Sequence, residues 1–424
     1  MVLLLKRTFA FGRLLIVALI FVILAVPEWP AFQDERFQLN SILGQRHFDF
    51  LAWGAKAVGA KSVAQLTSGD SYLDSEQQAA FVLDYLTKLD NARRLESQIN
   101  RIYSDPEIDA PAEAAADLQQ EVDDLRTDLS TRQPIAESIL ENQVSTILNE
   151  EGFDLLGATW PPVQMQMTPL PMVLIVSPRE EIKQIYNLPL DHGLSTDERE
   201  VIENNIYDET DRSALVAPIR GLGFYPAMII ESGDINGLVN TIAHEWAHHW
   251  LTLQPLGINI FANNELLTIN ETASSIVGNE IGRKVLERFY PEFLPPDETE
   301  SAVEEKEDSS EPPAFDFNSE MRTTRIRVDE LLAEGRVEDA ETYMEDRRQF
   351  LWDNGYRIRK LNQAFFAFHG SYADEPGEQG DDPIGPAILA IREDSSSLYE
   401  FLDRLSSITE IEQLFEIAAE SELS

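Results

Sequence analysis

His244 and His248 stand four residues apart in the segment His-Glu-Trp-Ala-His, with Glu245 directly after the first histidine. On an α-helix, residues at i and i+4 lie one turn apart on the same face, so both imidazoles can bind one metal ion. The glutamate points to another part of the helix surface, where it can take a proton from water instead of binding the metal. The spacing therefore predicts a zinc site with a general base in the same helical turn.

The residues around this motif predict a buried helix. Ile242, Ala243, Trp246, Ala247 and Trp250 make the segment apolar on nearly all sides, which is typical of a helix inside a protein core. Ionisable groups in such surroundings need partners or a metal. The pattern favours a metal site over a solvated helix face that happens to carry histidines.

A third ligand is expected downstream, since catalytic zinc commonly has three protein ligands and one open position. Glu271 and Glu280 are the candidates, and they lie about 180° apart on a helix, so only one can face the metal helix. Glu271 shares its face with Ser275, Gly278 and Gly282, and small residues allow two helices to approach closely. We therefore expect Glu271 to be the ligand, with Glu280 and a solvated Glu271 as the alternatives.

The motif followed about twenty residues later by Asn-Glu resembles the gluzincin metallopeptidases. Within that family it is most similar to a group of bacterial predicted aminopeptidases, over roughly 50 residues. The resemblance implies a zincin-like core and a peptide or protein substrate. It implies His244, His248 and Glu271 as Zn²⁺ ligands and Glu245 as the general base.

One position departs from the gluzincin pattern. Thermolysin-like members have an aspartate four residues after the ligand glutamate, whereas this chain has Ser275. That aspartate accepts a hydrogen bond from a metal-binding histidine and so orients its ring. Asn270, Ser275 or a backbone carbonyl are the possible substitutes.

Two further segments are candidates for the site. In gluzincins the strand before the metal helix pairs with the substrate backbone, which implies this role for residues 223–228, with an ordinary core strand as the alternative. His369 and Tyr372 are candidate donors to the oxyanion that forms during peptide hydrolysis. The similar aminopeptidases also carry an Asn-x-Ala stretch followed by a tyrosine. Packing of both residues as core aromatics is the alternative.

Composition excludes several classes of function. The net charge of −42 excludes a general affinity for nucleic acid or for anionic lipid. There is no cysteine in the chain, which excludes disulfides, thiolate metal ligands and a cysteine nucleophile. Any metal site must therefore use nitrogen and oxygen ligands.

The N-terminus predicts a membrane segment. Residues 14–26 form an unbroken apolar run behind Lys6, Arg7 and Arg13, and no convincing cleavage site follows. The basic flank places the N-terminal end inside. We expect an uncleaved signal anchor in preference to a removed signal peptide. The protein would then be a single-pass cell membrane protein with its catalytic part outside the cytoplasm.

Residue periodicity predicts an α+β fold that is mainly α, with a small sheet in the zincin-like core and helical regions on either side. An antiparallel hairpin is expected from residues 82–102 and 115–129, and Pro134 is expected to start a further helix. The predicted division is a membrane segment (1–30), a helical region (31–156), the catalytic core (157–294), an acidic flexible loop (295–318) and a helical C-terminal region (319–424).

Together these features predict a membrane-anchored zinc peptidase in which Glu245 takes a proton from the attacking water. The alternative is a membrane-anchored helical interaction protein in which the metal is only structural. The sequence leaves the oligomeric state open.

Overall fold

The computed structural model describes residues 35–67, 73–105, 108–295, 315–372 and 377–421. The structure is 64% helix and 9% strand, which confirms the α+β, mainly α class. The predicted membrane segment at residues 1–30 and most of the predicted acidic loop lie outside the described residues.

The helices before the metal motif are α1 (Glu35–Leu43), α2 (Phe50–Thr67), α3 (Ser75–Ser104), α4 (Pro111–Ala114), α5 (Ala116–Glu150) and α6 (Thr196–Thr210). The helices from the motif onward are α7 (Ile235–Leu251), α8 (Pro255–Ile258), α9 (Asn264–Phe289), α10 (Phe317–Ala333), α11 (Val337–Asp353), α12 (Gln363–His369), α13 (Ile384–Asp394), α14 (Leu398–Ser406) and α15 (Ile411–Ser421). The strands are β1 (Asp154–Leu155), β2 (Ala158–Thr159), β3 (Met165–Met167), β4 (Met172–Pro178), β5 (Tyr186–Leu190), β6 (Arg212–Pro218), β7 (Gly221–Leu222) and β8 (Ala227–Ile229).

The prediction of a single-pass membrane protein with an extracytoplasmic catalytic part is wrong. No helix in the described ranges is both long enough and apolar enough to cross a membrane. Helices α3 and α5 have sufficient length, with 30 and 35 residues, but charged side chains recur along them. The apolar run at residues 14–26, on which the prediction of a transmembrane helix rested, lies outside the described residues.

Helices α3 and α5 form the predicted antiparallel hairpin. Ion pairs cross it from Arg132 to Asp84 at 2.9 Å and from Arg126 to Glu96 at 2.8 Å. The expected helix start at Pro134 is wrong, because α5 continues through this residue. Proline removes one helical hydrogen bond, and the buried apolar residues of α5 on both sides of it keep the helix packed in the core.

The largest sheet, in the order β5-β4-β6, is antiparallel and buried on both faces. Since successive side chains of a strand point to opposite faces, Val173 and Ile175 pack against the core of α10 to α12. Leu174 and Val176 face α1 and α6. The sheet is therefore the middle layer of three.

A second sheet, in the order β3-β8-β7, lies beside the metal helix and has β7 at its edge. Glu141 and Glu137 of α5 accept hydrogen bonds from the backbone N–H groups of Met165 and Met167 in β3, each at 2.8 Å. Lys61 of α2 lies between the two carboxylates, 2.8 Å from Glu141 and 2.7 Å from Glu137. Burial raises the pKa of Glu141 to about 7 despite the lysine. These buried contacts fix the small sheet on the helical core.

Candidate metal centre

Helix α7 carries both histidines on one face. Asp234 caps its N-terminus, because the Asp234 carboxylate accepts a hydrogen bond from the N–H of Asn236. At the other end of the helix, Nε2 of His244 lies 3.0 Å from Nε2 of His248. Their side chains are only 16% and 13% exposed. The i, i+4 spacing therefore directs two imidazole nitrogens to one point.

Helix α9 approaches α7 closely at two glycines. A Cβ atom at Gly278 would lie 2.9 Å from the backbone oxygen of Asn240 and 3.1 Å from Cβ of His244. At Gly282 it would lie 1.7 Å from Oδ1 of Asn240. These distances leave no room for a side chain. The small residues predicted on the face of Glu271 are thus the ones that let the two helices meet.

Glu271 reaches the histidines from α9. Its Oε2 atom lies 3.5 Å from Nε2 of His244 and 3.5 Å from Nε2 of His248. Glu280 points elsewhere and forms an ion pair with Arg392, whose Nε lies 2.6 Å from its Oε1. The structure therefore brings together the preferred set of three residues and leaves Glu280 outside it.

The three side chains fit a small divalent cation. One ligand atom from each of His244, His248 and Glu271 lies within 4.8 Å of the others. Ligand atoms that bind one tetrahedral zinc ion at about 2.0–2.1 Å lie about 3.3 Å from each other, close to the distances found here. Oε2 of Glu271 is buried and has no hydrogen-bond partner among the described residues. A buried oxygen of this kind suits a metal ligand.

The carboxylate of Glu271 and the two imidazoles stabilise each other's charged forms. Burial raises the pKa of the Glu271 carboxyl, but the two histidines outweigh this effect and hold the pKa well below its usual range. Burial lowers the pKa of His248, yet the Glu271 carboxylate raises it to about 9. Positive charge is therefore stabilised between these side chains, and a bound cation would displace the proton.

Asn270 orients one of the histidines. Its Oδ1 lies 2.7 Å from Nδ1 of His248, so the N–H at Nδ1 donates to the amide and leaves Nε2 free for a metal. Ser274 adds its hydroxyl at 3.3 Å from the same nitrogen. Of the three substitutes considered for the gluzincin aspartate, the structure selects Asn270. Ser274 was not anticipated, and Ser275 lines the neighbouring cavity instead.

Glu245 lies under the edge strand β7. It is only 5% exposed, and its Oε2 has no hydrogen-bond partner among the described residues. A Cβ atom at Gly221 would lie 2.1 Å from Oε1 of Glu245, and one at Gly223 would lie 3.5 Å from Oε2. Burial raises the pKa of the Glu245 carboxyl, although the two histidines oppose this. A carboxyl with a raised pKa can both accept and return a proton near neutral pH.

The segment expected to pair with substrate, residues 223–228, is not one strand. The edge strand is Gly221–Leu222, and a turn through Phe224 leads to β8. His249 donates a hydrogen bond from Nε2 to the backbone oxygen of Phe224 at 2.9 Å. The Phe224 ring stacks on Phe50 of α2, with ring centroids 5.5 Å apart. His249 therefore supports the turn after the edge strand, and burial lowers its pKa to about 4.

A cavity of about 400 Å³ opens beside His244 and Glu245. His369 and Tyr372 line it, together with Phe368 from the same segment. The Tyr372 ring lies 6.3 Å from the His244 ring, between centroids. Burial lowers the pKa of His369 to about 4, so this imidazole is neutral near pH 7. Both candidate donors thus lie at the cavity that adjoins the predicted general base.

Four polar residues of the cavity were not anticipated from the sequence: Arg220, Asn240, Thr241 and Asn279. Asn240 and Asn279 join α7 and α9 through a hydrogen bond of 3.2 Å between their amides. Asn240 lies one turn before His244, and Asn279 lies directly before Glu280. These positions offered only a weak signal. Arg220 lies in the loop between β6 and β7, where no motif marks it.

No known protein family, curated protein or solved structure matches this chain. The resemblance to gluzincins therefore stays a prediction that rests on the residues of the motif.

Proposed function

We propose that this protein is a zinc-dependent peptidase of the gluzincin type that hydrolyses peptide bonds. The observation that carries the proposal is the convergence of His244, His248 and Glu271 on one point next to buried Glu245 at an open cavity. His244 and Glu245 line that cavity. Substrate could therefore approach the metal and the base together.

His244, His248 and Glu271 would hold the zinc ion. When bound, zinc supplies a Lewis acid that polarises a carbonyl group and lowers the pKa of water. Glu245 accepts the proton from the attacking water and returns it to the leaving amine. Its buried carboxylate, with Oε2 free of other partners among the described residues, is suited to this exchange.

The neighbouring residues supply binding and charge stabilisation. The edge strand Gly221–Leu222 pairs with β8 on one side and has no strand on its other side within the described residues, which suits β-pairing with an extended peptide. Tyr372 and neutral His369 are the candidate donors to the developing oxyanion. The zincin-like core is thus proposed from α7, α9 and the small sheet β3-β8-β7.

A structural metal site in an interaction protein is the competing function. A structural zinc site commonly has four protein ligands and is closed to solvent. The described residues offer a group of three ligands and a cavity at His244. Such a site does not need a buried carboxylate like that of Glu245, whose Oε2 has no hydrogen-bond partner among the described residues. Both observations favour catalysis.

Glu245→Gln tests the proposal. The variant removes the base and leaves every predicted ligand, so it should bind zinc at wild-type stoichiometry while cleavage of a peptide library falls by about 10²- to 10⁴-fold. Zinc is measured by elemental analysis and cleavage by mass spectrometry on the full chain. Glu265→Gln, at an exposed position early in α9, is the matched control. Turnover near that of the control would refute the assigned role.

A further inference from the structure

The cavity beside the metal centre contains very few charged groups. Among the described residues that line it, Glu245 supplies the one carboxylate and Arg220 the one guanidinium. Uncharged polar groups come from Asn240, Thr241, Ser275 and Asn279, together with Tyr372 and the neutral imidazole of His369. Since Glu245 is committed to proton transfer in the proposed function, Arg220 is the charged group that remains for binding.

Arg220 is held in position by its backbone. Its carbonyl oxygen accepts a hydrogen bond from the N–H of Ile230 at 3.0 Å, which fixes the residue immediately before β7. The next residue, Gly221, lies so near the Glu245 carboxylate that a Cβ atom there would be 2.1 Å from Oε1. A ligand group bound by Arg220 would therefore lie in the same cavity as Glu245, close to the edge strand.

The guanidinium of Arg220 is exposed and forms no hydrogen bond or ion pair with the residues that the structure describes. This is unexpected in a chain with 75 acidic and 33 basic residues, where carboxylates are available for most cations. Arg392 and Arg126, for example, both bind carboxylates. An unpaired arginine at a cavity is suited to an anionic ligand, because its planar donors match a carboxylate.

A second, smaller cavity also borders Arg220, and its acidic residues are engaged elsewhere. Glu231 forms an ion pair with Arg126, in which Oε2 of the glutamate lies 2.9 Å from Nη1 of the arginine. Asp234 caps α7 through the N–H of Asn236. Both carboxylates line this second cavity together with Arg220, yet neither forms an ion pair with it within the described part of the chain. Arg220 therefore stays available to the larger cavity.

We propose that the cavity beside the metal centre binds a carboxylate of the substrate peptide through Arg220. The inference rests on the proposed peptidase function and adds a substrate class to it. The carboxylate is either the C-terminal group of the peptide or an aspartate or glutamate side chain. Recognition of a free N-terminal amine would need a carboxylate in the cavity besides Glu245. The described lining residues supply none.

Peptide binding tests this proposal without turnover. The zinc-loaded full chain with Glu245→Gln is titrated with N-acetylated five-alanine peptides that end in a free carboxylate or in an amide. A second pair has a central glutamate or glutamine and an amidated end. A final peptide has a free N-terminal amine and an amidated end. Calorimetry or fluorescence anisotropy gives the dissociation constants.

We expect a carboxylate in the first or second pair to tighten binding about five- to tenfold, a modest effect because the arginine is exposed. Arg220→Gln in the same background should abolish this preference. Arg101→Gln, which removes an exposed arginine that does not line the cavity, should retain it. The pair that responds identifies the source of the carboxylate.

Three results would overturn the inference: no preference in the parent protein, the same preference after Arg220→Gln, or binding that depends on the free N-terminal amine. Cleavage of a peptide library by the protein with Glu245 intact separates this failure from failure of the proposed function. Cleavage without a carboxylate preference would refute only the proposal that Arg220 binds a substrate carboxylate. Absence of all cleavage by the zinc-loaded protein counts against the peptidase itself, whatever the titrations give.

Discussion

Gly221→Ala should separate catalysis from metal binding. Gly221 belongs to the edge strand β7, and its backbone lies outside the left-handed region that favours glycine, so alanine can adopt it. The added Cβ, however, would lie 2.1 Å from Oε1 of Glu245 and 2.7 Å from its Cδ. Either the carboxylate or the strand must move.

The size of the effect follows from this overlap. Restoring ordinary contact at 3.4 Å requires a displacement of about 1 Å, and a misplacement of that size in an active site lowers the rate by about 10²-fold. The three atoms nearest to the new methyl group all belong to Glu245, so the overlap displaces the base and not a metal ligand. Zinc affinity should therefore change little.

The assay compares zinc content and peptidase turnover for Gly221→Ala and Gly59→Ala. Gly59 lies in α2, and a Cβ atom there meets nothing within 4 Å. The control should keep full activity and gain about 0.5–1 kcal/mol of stability from the better helix former. If Gly221→Ala matched the control in turnover, or lost zinc as well as activity, the reasoning about the position of Glu245 would fail.

Two further predictions concern the third ligand and a buried ion pair. Glu271→Ala should lose zinc while Glu280→Ala retains it, because Glu280 pairs with Arg392; metal analysis showing the reverse would exchange their roles. Glu203→Gln should lower the free energy of unfolding at pH 7 by about 2 kcal/mol, because the buried carboxylate accepts hydrogen bonds from Arg359. Burial alone would raise the pKa of Glu203, but its cationic partners hold it below the usual 4.5. This stabilisation is therefore present above about pH 4.5 and is lost as the pH falls through the folded-state pKa. Urea denaturation from pH 7 to pH 3 should show a smaller loss for the variant than for the wild type, and parallel curves would refute the assignment.

The sequence predicts those parts of the site that depend on local helix geometry. The spacing of His244 and His248 and the opposite faces of Glu271 and Glu280 follow from the helical repeat alone. The class of the fold was also predictable, because long helical periodicities outnumber the short apolar strands. The approach of the two helices was signalled only indirectly, by the small residues on the face of Glu271.

Features that depend on long-range packing were not predictable in this way. Arg220 lies in a loop with no motif, and its place at the cavity depends on how β7 pairs with β8. The sequence predicts the edge strand at residues 223–228, whereas the structure has it at Gly221–Leu222. The extended pattern of residues 223–228 also fits a turn. The sequence predicts a helix start at Pro134, but packing against distant helices keeps α5 continuous there, and no local pattern shows that packing. The prediction of a membrane-spanning segment is wrong because no helix of the described residues is both long enough and apolar enough to cross a membrane.

The glycines at 278 and 282 have a consequence for protein design. The histidine pair of α7 is a local pattern that can be written into any helix of sufficient length. The third ligand is not local, because Glu271 comes within reach only where two helix backbones nearly touch. A design that copied the motif onto an ordinary helical hairpin, with alanine or leucine in place of these glycines, would yield two ligands and a weak, exchangeable metal. The transferable unit is the pair of helices together with its glycines.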